Sequence, residues 1–297
     1  MPGTATWPVT VNGNTYTLAD FDGFAYVQNF PAIISDINVV ALQAAADRAA
    51  IQAALANNGN LLIPQTQCRL EYISTTQIRL QQFGGNFIWI NGLNRPIPFG
   101  GVNLANDGLA EATLYYVYAY MNGATMMMEG STVNYVASAN GIRVKNGDAT
   151  RTLVGMIYMD TGGVFANSSA KRYVRSYLNR PQFLANGSFG SGSTSSTSTV
   201  DIAPFSFNLV AFADDAVDIY YVGNIVNNGG NSVITLGVDG GSLGSAQAIT
   251  GGSGTGNVPI SPRVIVQRPD GMRVISIRAS VSAGTATLGG QLFGSIG

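Results

Sequence analysis

The chain has 297 residues, of which 46% are hydrophobic and 10% are charged, and its net charge at pH 7 is −1. Soluble proteins usually contain about 25% charged residues, so this composition is unusual for a free cytosolic enzyme and common in a protein that belongs to an assembly. The scattered Lys and Arg residues argue against a nucleic-acid partner, because neutralising phosphates needs a clustered basic surface.

Missing motifs exclude further classes of protein. The sequence has no run of about 18 apolar residues, so no membrane partner is expected. Residues Met1 to Thr4 lack the charged and apolar regions of a secretory signal. Cys68 is the single cysteine and the chain has no His, which predicts a buried structural thiol and excludes an intrachain disulfide. Gly251 to Gly256 lacks the Lys-Ser/Thr of a nucleotide loop, so no cofactor is expected.

Residues 1–64 predict an N-terminal attachment arm. Val9 to Val11 and Thr15 to Thr17 surround Asn12-Gly13, a pair that favours a tight hairpin turn. Four aromatic residues then follow within ten positions, more than a local hairpin can bury. These candidate attachment residues are Phe21, Phe24, Tyr26 and Phe30. They pack either against the chain's own helix or against a neighbouring subunit.

A single helix is predicted from Ile37 to about Ala56. Ser35 or Asp36 can cap its first turn, and Asn57-Asn58-Gly59 can end it, because such residues accept a left-handed conformation. Its apolar residues recur at helical spacing and are mostly Ala. A stripe of small residues permits close helix approach, so the helix either pairs around the symmetry axis of an oligomer or packs on the first β module.

Residues 65–182 predict a central β module of short strands separated by turns. Its first predicted strands are Arg69 to Ile73, Gln77 to Gln81, Asn86 to Ile90 and Pro96 to Phe99. The densest signal is Leu114 to Met121, whose aromatic and long apolar residues suit a half-buried sheet. Asn122-Gly123 follows directly and predicts a hairpin that folds back onto Met126 to Met128.

Six blocks of the central module carry a resemblance to a known group. They are Ile78 to Leu80, Phe87 to Gly92, Ile97 to Val102, Leu114 to Met121, Gly147 to Met156 and Arg172 to Arg180. These blocks resemble a module that recurs in virion proteins of tailed bacteriophages, among them fibre-like proteins. The resemblance covers roughly the middle third of the chain and includes no catalytic motif.

This resemblance implies a virion protein that is assembled in the cytoplasm of the bacterial host. It implies that the N-terminal arm has other virion proteins as partners. It also implies a homo-oligomer, with a trimer as the first expectation because fibre proteins have threefold symmetry. The position in the virion, at the tail, baseplate, collar or capsid, is left open by the sequence.

Two charged patterns occur in the second half of the central module. Asp148 and Arg151 flank a turn and predict a local ion pair or turn bond. Lys171, Tyr173 and Arg175 alternate and would share one side of a strand. That side is either a solvated strand face or an anion site.

Residues 183–199 predict a flexible linker, because Asn186 to Thr199 is rich in Gly, Ser and Thr. Residues 200–297 predict an antiparallel β-sandwich or jelly roll, because short strands alternate with Gly-rich turns. The predicted strands are Phe205 to Phe212, Val217 to Asn224, Val233 to Val238, Arg263 to Gln267, Arg273 to Val281 and Thr285 to Phe293. The predicted fold class is therefore mainly β, with one α-helix in the N-terminal arm.

Catalysis is not expected from the acidic residues. The chain has three Glu, which are Glu71, Glu111 and Glu129, and its best acidic cluster is Asp214 to Asp218 between two predicted strands. Glycoside cleavage needs two carboxyl groups about 5 to 9.5 Å apart, and a Ca²⁺ site needs more oxygen ligands than this segment supplies. The chain also lacks a Gly-x-Ser-x-Gly elbow and a His for a triad.

A non-enzymatic tail or head fibre component that holds no metal is therefore expected. The alternatives are a glycan-degrading receptor protein and a capsid decoration or spacer protein. The C-terminal domain is expected to face outward and to bind a host-surface glycan, because its loops are rich in side chains that bond sugar hydroxyls. Candidate glycan-binding residues are Tyr220, Tyr221, Asp214 and Asp215. Alternation allows only one of the two Tyr rings to face outward.

Overall fold

The structure is a computed structural model that describes residues 9–11, 14–17, 35–50, 67–249 and 258–296. The chain divides into two compact units, Met1–Ile63 and Pro64–Gly297. The described residues form 24 strands and one helix, so the predicted mainly-β fold class is confirmed. No helix among them is long and apolar enough to cross a membrane. The attachment candidates Phe21, Phe24, Tyr26 and Phe30 and the loop Gly251 to Gly256 lie outside the described residues.

The first unit contains a hairpin and a helix. Strands β1 (Val9–Val11) and β2 (Asn14–Tyr16) pair antiparallel around Asn12-Gly13, as predicted. Residues 35–50 are helical (α1), which confirms a helix over the described part of the predicted segment. Asp36 is buried and accepts a hydrogen bond of 2.7 Å from Nδ2 of Asn14.

The second unit begins with the central module, which contains three sheets. The first sheet has the order β3 (Cys68–Ser74), β4 (Gln77–Gln82), β7 (Val102–Ala105), and a separate ribbon pairs β5 (Phe87–Ile90) with β6 (Leu93–Pro96). The third sheet has the order β10 (Tyr135–Ala137), β11 (Arg143–Lys145), β12 (Asp148–Tyr158), β8 (Leu114–Asn122), β9 (Thr125–Ser131). The strand predicted at Pro96 to Phe99 instead ends at Pro96.

The predicted central hairpin is confirmed by the pairing of β8 with β9. Asn122 pairs with Thr125, and Gly123 has a positive φ of 61°, a conformation that Gly adopts without steric cost. Met126 and Met128 on β9 are buried in the module's core. The expected buried thiol is also confirmed, because Cys68 lies in the same core and burial raises its pKa to about 12.

The remaining strands, apart from β14, form two sheets that face each other as a sandwich. In chain order they are β13 (Lys171–Arg172), β14 (Val174–Ser176), β15 (Phe183–Asn186), β16 (Gly190–Thr194), β17 (Val200–Ala211), β18 (Val217–Asn227), β19 (Ser232–Val238), β20 (Gly241–Ile249), β21 (Val258–Ile260), β22 (Arg263–Val266), β23 (Gly271–Val281) and β24 (Ala286–Ile296). One sheet has the order β13-β17-β23-β19-β20, with β13 parallel to β17. The other has the order β15-β24-β18-β21, with β16 also paired to β24 and β22 to β18. Strand β14 pairs with β12 of the central module.

Alternating burial produces the core of the sandwich. Every second residue of β24 is buried along its whole length, and β17 and β18 follow the same period over most of theirs. The core therefore receives Phe205 and Phe207 from one sheet and Ile219, Tyr221 and Leu292 from the other. Burying each such side chain stabilises the fold by about 1.5–3 kcal/mol relative to leaving it exposed.

The segment predicted as a flexible linker is instead part of the sandwich. Strands β15 and β16 lie within it, and both pair antiparallel with β24. A Cβ atom at Gly192 on β16 would overlap the backbone oxygen of Ala203 on β17, so Gly is needed where β16 and β17 approach closely. The Gly and Ser content that suggested flexibility therefore serves close backbone packing.

The predicted shared face of Lys171, Tyr173 and Arg175 does not form. Strands β13 and β14 belong to different sheets, and Tyr173 between them is buried. Lys171 pairs with Asp160 at 2.6 Å, and Arg175 is fully buried. Alternation failed here because the chain leaves one sheet and enters another within four residues.

Buried ion pairs join the central module to the sandwich. Arg175 on β14 donates two hydrogen bonds to the carboxylate of Asp215, of 3.1 and 2.6 Å, and both side chains are fully buried. Arg180 donates to Asp215 at 3.0 Å and to Asp214 at 2.7 Å. The guanidinium carbon of Arg180 lies 4.7 Å from the ring centroid of Phe212. We call the four charged residues Arg175, Arg180, Asp214 and Asp215 the joint.

Candidate functional site

The two neighbouring Tyr residues of β18 face opposite sides of the sheet. Tyr221 has 0% exposure and packs edge-on against Phe205, with ring centroids 5.4 Å apart. Burial raises its pKa to about 12. Tyr220 is half-buried and lies on the opposite side of the sheet from Tyr221. The expectation that one ring faces outward is confirmed. Tyr221 is too deeply buried to contact a surface ligand.

The two Asp residues predicted to bind a glycan belong to the joint. Asp215 is buried, and its Oδ2 accepts a further hydrogen bond of 2.8 Å from the backbone N–H of Phe212. Asp214 is 69% exposed and pairs with Arg180. Burial opposes ionisation of Asp214, but the hydrogen bond and the charge of Arg180 outweigh it and lower its pKa. The structure therefore does not place either carboxylate beside Tyr220.

The register of three strands, β18, β22 and β24, defines what surrounds Tyr220 instead. Across the sheet, Tyr220 pairs with Phe293 on β24 and with Arg263 on β22. In the adjacent row, Asp218 pairs with Ser295 and Ile265. Residues two apart on a strand lie on the same face, so these two rows share the outer surface of the sheet. We call this surface the outer face.

Two aromatic rings form the centre of the outer face. Tyr220 and Phe293 stack with ring centroids 5.1 Å apart and an angle of 16° between their planes. Leu184, Val222 and Ile265 surround them, and each is more than half exposed. The result is an apolar platform on the surface, of the kind that marks a binding site when it is contiguous.

A polar pair lies at the edge of this platform. Arg263 donates hydrogen bonds of 2.9 and 2.6 Å to the two carboxylate oxygens of Asp218. The hydrogen bond and charge of Asp218 raise the pKa of Arg263. Arg263 is exposed to solvent and Asp218 is half-buried, so the pair contributes little to stability. A guanidinium has five N–H donors and a carboxylate four acceptor positions, more than the two hydrogen bonds of this pair use.

Two adjoining hollows of about 380 and 560 Å³ lie on the outer face. Leu184, Asp218 and Ser295 line both of them, and Tyr220 and Arg263 line the larger one. Among the described lining residues, Asp218 is the sole carboxylate. The outer face can therefore bind a ligand by aromatic stacking and hydrogen bonding.

The three Glu residues lie in the central module. Glu129 pairs with Lys145 and Arg151, and Glu111 accepts a hydrogen bond of 2.6 Å from the backbone N–H of Gly162. Arg151 also lies 3.8 Å from Asp148, which confirms the predicted local pair. Across the described ranges, no group of three or more His, Cys, Asp or Glu side chains is arranged to hold a metal ion.

Sequence reasoning identified Tyr220 but missed its neighbours. Phe293 ends one predicted strand and Arg263 begins another. The sequence does not indicate that both strands pair with β18. Arg263 is 45 residues from its partner Asp218 along the chain. The available signal was the alternation in each strand, which gives the face of a side chain and not its cross-strand neighbour.

No protein-family model matches this chain, and no curated protein matches it. Among solved structures, Eiger TNF from S. frugiperda has a TM-score of 0.27 and 13% identity, covering 39% of this chain and 92% of that chain. The protein of infectious bursal virus derived T=1 particles has a TM-score of 0.30 and 10% identity, and the match covers 80% of this chain and 72% of that chain. The enzymatically active domain of bacteriophage CBA120 tailspike protein 4 has a TM-score of 0.20 and 10% identity, and the match covers 38% of this chain and 19% of that chain. These neighbours include viral capsid and phage tailspike proteins, all at TM-scores of 0.30 or below.

Proposed function

We propose that this chain is a non-enzymatic structural protein of a bacteriophage virion, a tail or head fibre component, and that its outer face binds a host-surface glycan. The stacked Tyr220–Phe293 pair beside the Asp218–Arg263 pair carries the binding proposal. The low charge content and the fibre-like blocks of the central module support the virion setting.

The chemistry of a sugar ring matches this arrangement. A pyranose has an apolar face of C–H groups that packs on an aromatic ring, and Tyr is well suited because it also has a polar end. Hydroxyl groups around the ring both donate and accept hydrogen bonds. The carboxylate of Asp218 accepts from them and the guanidinium of Arg263 donates to them. The two groups hold each other in place, so less side-chain freedom is lost on binding.

The same geometry favours binding over cleavage. Glycoside hydrolysis needs a second carboxyl group on the opposite side of the scissile bond. On the outer face, Asp218 is the one carboxylate among the described lining residues, and it is held by Arg263. Release of reducing ends from the host glycan would support the glycan-degrading alternative instead.

Replacing Tyr220 with Ala is expected to weaken glycan binding by about tenfold or more, because the stacking surface is lost. Binding of the full-length protein to purified host lipopolysaccharide or capsule measures this. Tyr120→Ala is the matched control, because Tyr120 is also half-buried but lies on β8 of the central module. Equal binding by the wild type and both variants would mean that the glycan binds at another surface and would contradict the proposal for the outer face.

We further propose that the first unit joins the chain to its partners and to copies of itself. Ile37, Val39, Val40 and Leu42 of α1 are exposed, and apolar helix residues are buried when helices of several copies pack together. The candidate anchors to the virion remain Phe21, Phe24, Tyr26 and Phe30, and a trimer is the expected oligomer.

Deleting Met1–Ile63 is expected to abolish incorporation into virions and to convert the oligomer into a monomer. The second unit is expected to remain folded, because Pro64–Gly297 has its own hydrophobic cores. Light scattering measures the mass, and immunoblotting of purified particles measures incorporation. Normal occupancy of the truncated protein in particles would place attachment in the second unit.

A further inference from the structure

A second cleft, of about 320 Å³, lies where the central module meets β15. Arg69, Glu71 and Tyr72 of β3 line it together with Arg172 and Phe183. Phe183 also borders the outer face, but Tyr220 and Arg263 do not line this cleft. The cleft is therefore a separate site next to the outer face.

Two arginines of this cleft are not paired with a carboxylate. The ion pairs found in the described ranges include neither Arg69 nor Arg172. Arg172 donates from Nε and Nη2 to the carbonyl oxygen of Leu184, at 3.2 and 2.9 Å. Arg69 donates from Nε to the carbonyl oxygen of Asn179 at 3.0 Å and lies over the ring of Phe83. Neutral acceptors hold both guanidinium groups in place, and among the described lining residues Glu71 is the one carboxylate against their two positive charges.

Burial makes an anionic partner favourable at this position. Desolvation lowers the pKa of Arg172, which shows that the surroundings disfavour its charge. An anion in the cleft reverses this effect, and guanidinium groups bind planar carboxylates with particularly good geometry. Two guanidinium groups and the carboxylate of Glu71 leave one net positive charge in the cleft. A ligand with a single negative charge therefore matches it better than a doubly charged phosphate.

We propose that the Arg69–Arg172 cleft binds a carboxylate-bearing sugar, a hexuronic acid residue. The two arginines hold the carboxylate, Glu71 accepts hydrogen bonds from ring hydroxyls, and Tyr72 and Phe183 complete the lining. The volume of the cleft lies at the lower end of the range for small-ligand sites, as expected for one sugar ring.

Saturation-transfer NMR on the full chain tests this proposal with D-glucuronate, D-glucose and inorganic phosphate as probes. Transfer to glucuronate is expected, with little transfer to glucose and weak competition by phosphate. Arg172→Gln and Arg69→Gln are each expected to reduce the affinity for glucuronate by about tenfold or more, because hydrogen bonds to charged groups are lost. Arg143→Gln is the control, because Arg143 lies over the ring of Tyr135 in the central module and does not line the cleft.

The two cleft variants protect the test against a folding artefact, because Arg69 and Arg172 lie on different strands and thermal melting shows which variant stays folded. All probes are also measured on Tyr220→Ala, because this variant removes the stacking surface of the outer face and leaves the cleft intact. Glucuronate binding that is lost in a folded cleft variant and kept in Arg143→Gln and Tyr220→Ala supports the proposal. Absence of transfer to glucuronate, equal transfer to glucose in Tyr220→Ala, full competition by phosphate, or equal binding by the folded cleft variants overturns it.

Discussion

Replacing Asp215 with Ala is expected to lower the free energy of unfolding by about 3–5 kcal/mol, because it leaves Arg175 as a buried charge without a partner. Both side chains are fully buried, and Asp215 also accepts from Arg180 and from the backbone N–H of Phe212. Urea denaturation of the full chain, followed by circular dichroism, measures the change.

Asp214→Ala is the matched control, since Asp214 is the adjacent residue and pairs with the same Arg180. Its side chain is largely exposed, so a loss of at most about 1 kcal/mol is expected. A double variant, Arg175→Met with Asp215→Leu, should recover much of the stability, because it removes both buried charges together. A similar small loss for Asp214→Ala and Asp215→Ala would contradict the buried geometry of the joint.

The joint determines how the outer face is presented. Arg175 belongs to a strand that pairs with the central sheet, whereas Asp215 lies in the turn between β17 and β18 of the sandwich. Aromatic residues continue this contact, with Tyr177 and Phe212 edge-to-face at 5.2 Å. Since β18 carries both Asp218 and Tyr220, the joint fixes the outer face relative to the central module.

Strand positions in the sandwich were predictable because they depend on local alternation. The predicted segments beginning at Val217, Val233 and Arg273 lie within one or two residues of the starts of β18, β19 and β23. The edge strand β16 was not predictable, because Gly190 to Thr194 has no apolar alternation. Pairing with β24 stabilises that strand, and no sequence-local signal reports such a partner.

Less of the candidate site was predictable, because its contacts join residues that are far apart in the sequence. Asp214 and Asp215 looked like surface residues because acidic residues between two strands usually face solvent. Their partners Arg175 and Arg180 come from a segment 34 to 40 residues earlier in the chain, and only the folded arrangement brings them together. In contrast, Tyr220 was found because its orientation follows from the period of one strand.

Phe207→Ala is expected to lower the free energy of unfolding by about 3–5 kcal/mol, because it leaves a cavity between the two sheets of the sandwich. Phe207 lies on β17 of one sheet, and its ring reaches Gly294 on β24 of the other. A Cβ atom at position 294 would overlap Cζ of Phe207, so this glycine makes room for the ring. Urea denaturation measures the loss, with Tyr220→Ala on the outer face of the same sandwich as the control.

A double-mutant cycle distinguishes this contact from general loss of hydrophobicity. Gly294→Ala alone is expected to cost about 1–3 kcal/mol through overpacking against Phe207. Combined with Phe207→Ala, the added methyl group enters the vacated space, so the double variant should be more stable than the sum of the single losses implies. A coupling free energy of about 0.5–3 kcal/mol is expected for residues in direct contact. Additive losses would mean that Phe207 does not pack against Gly294 and that the two sheets meet through other side chains.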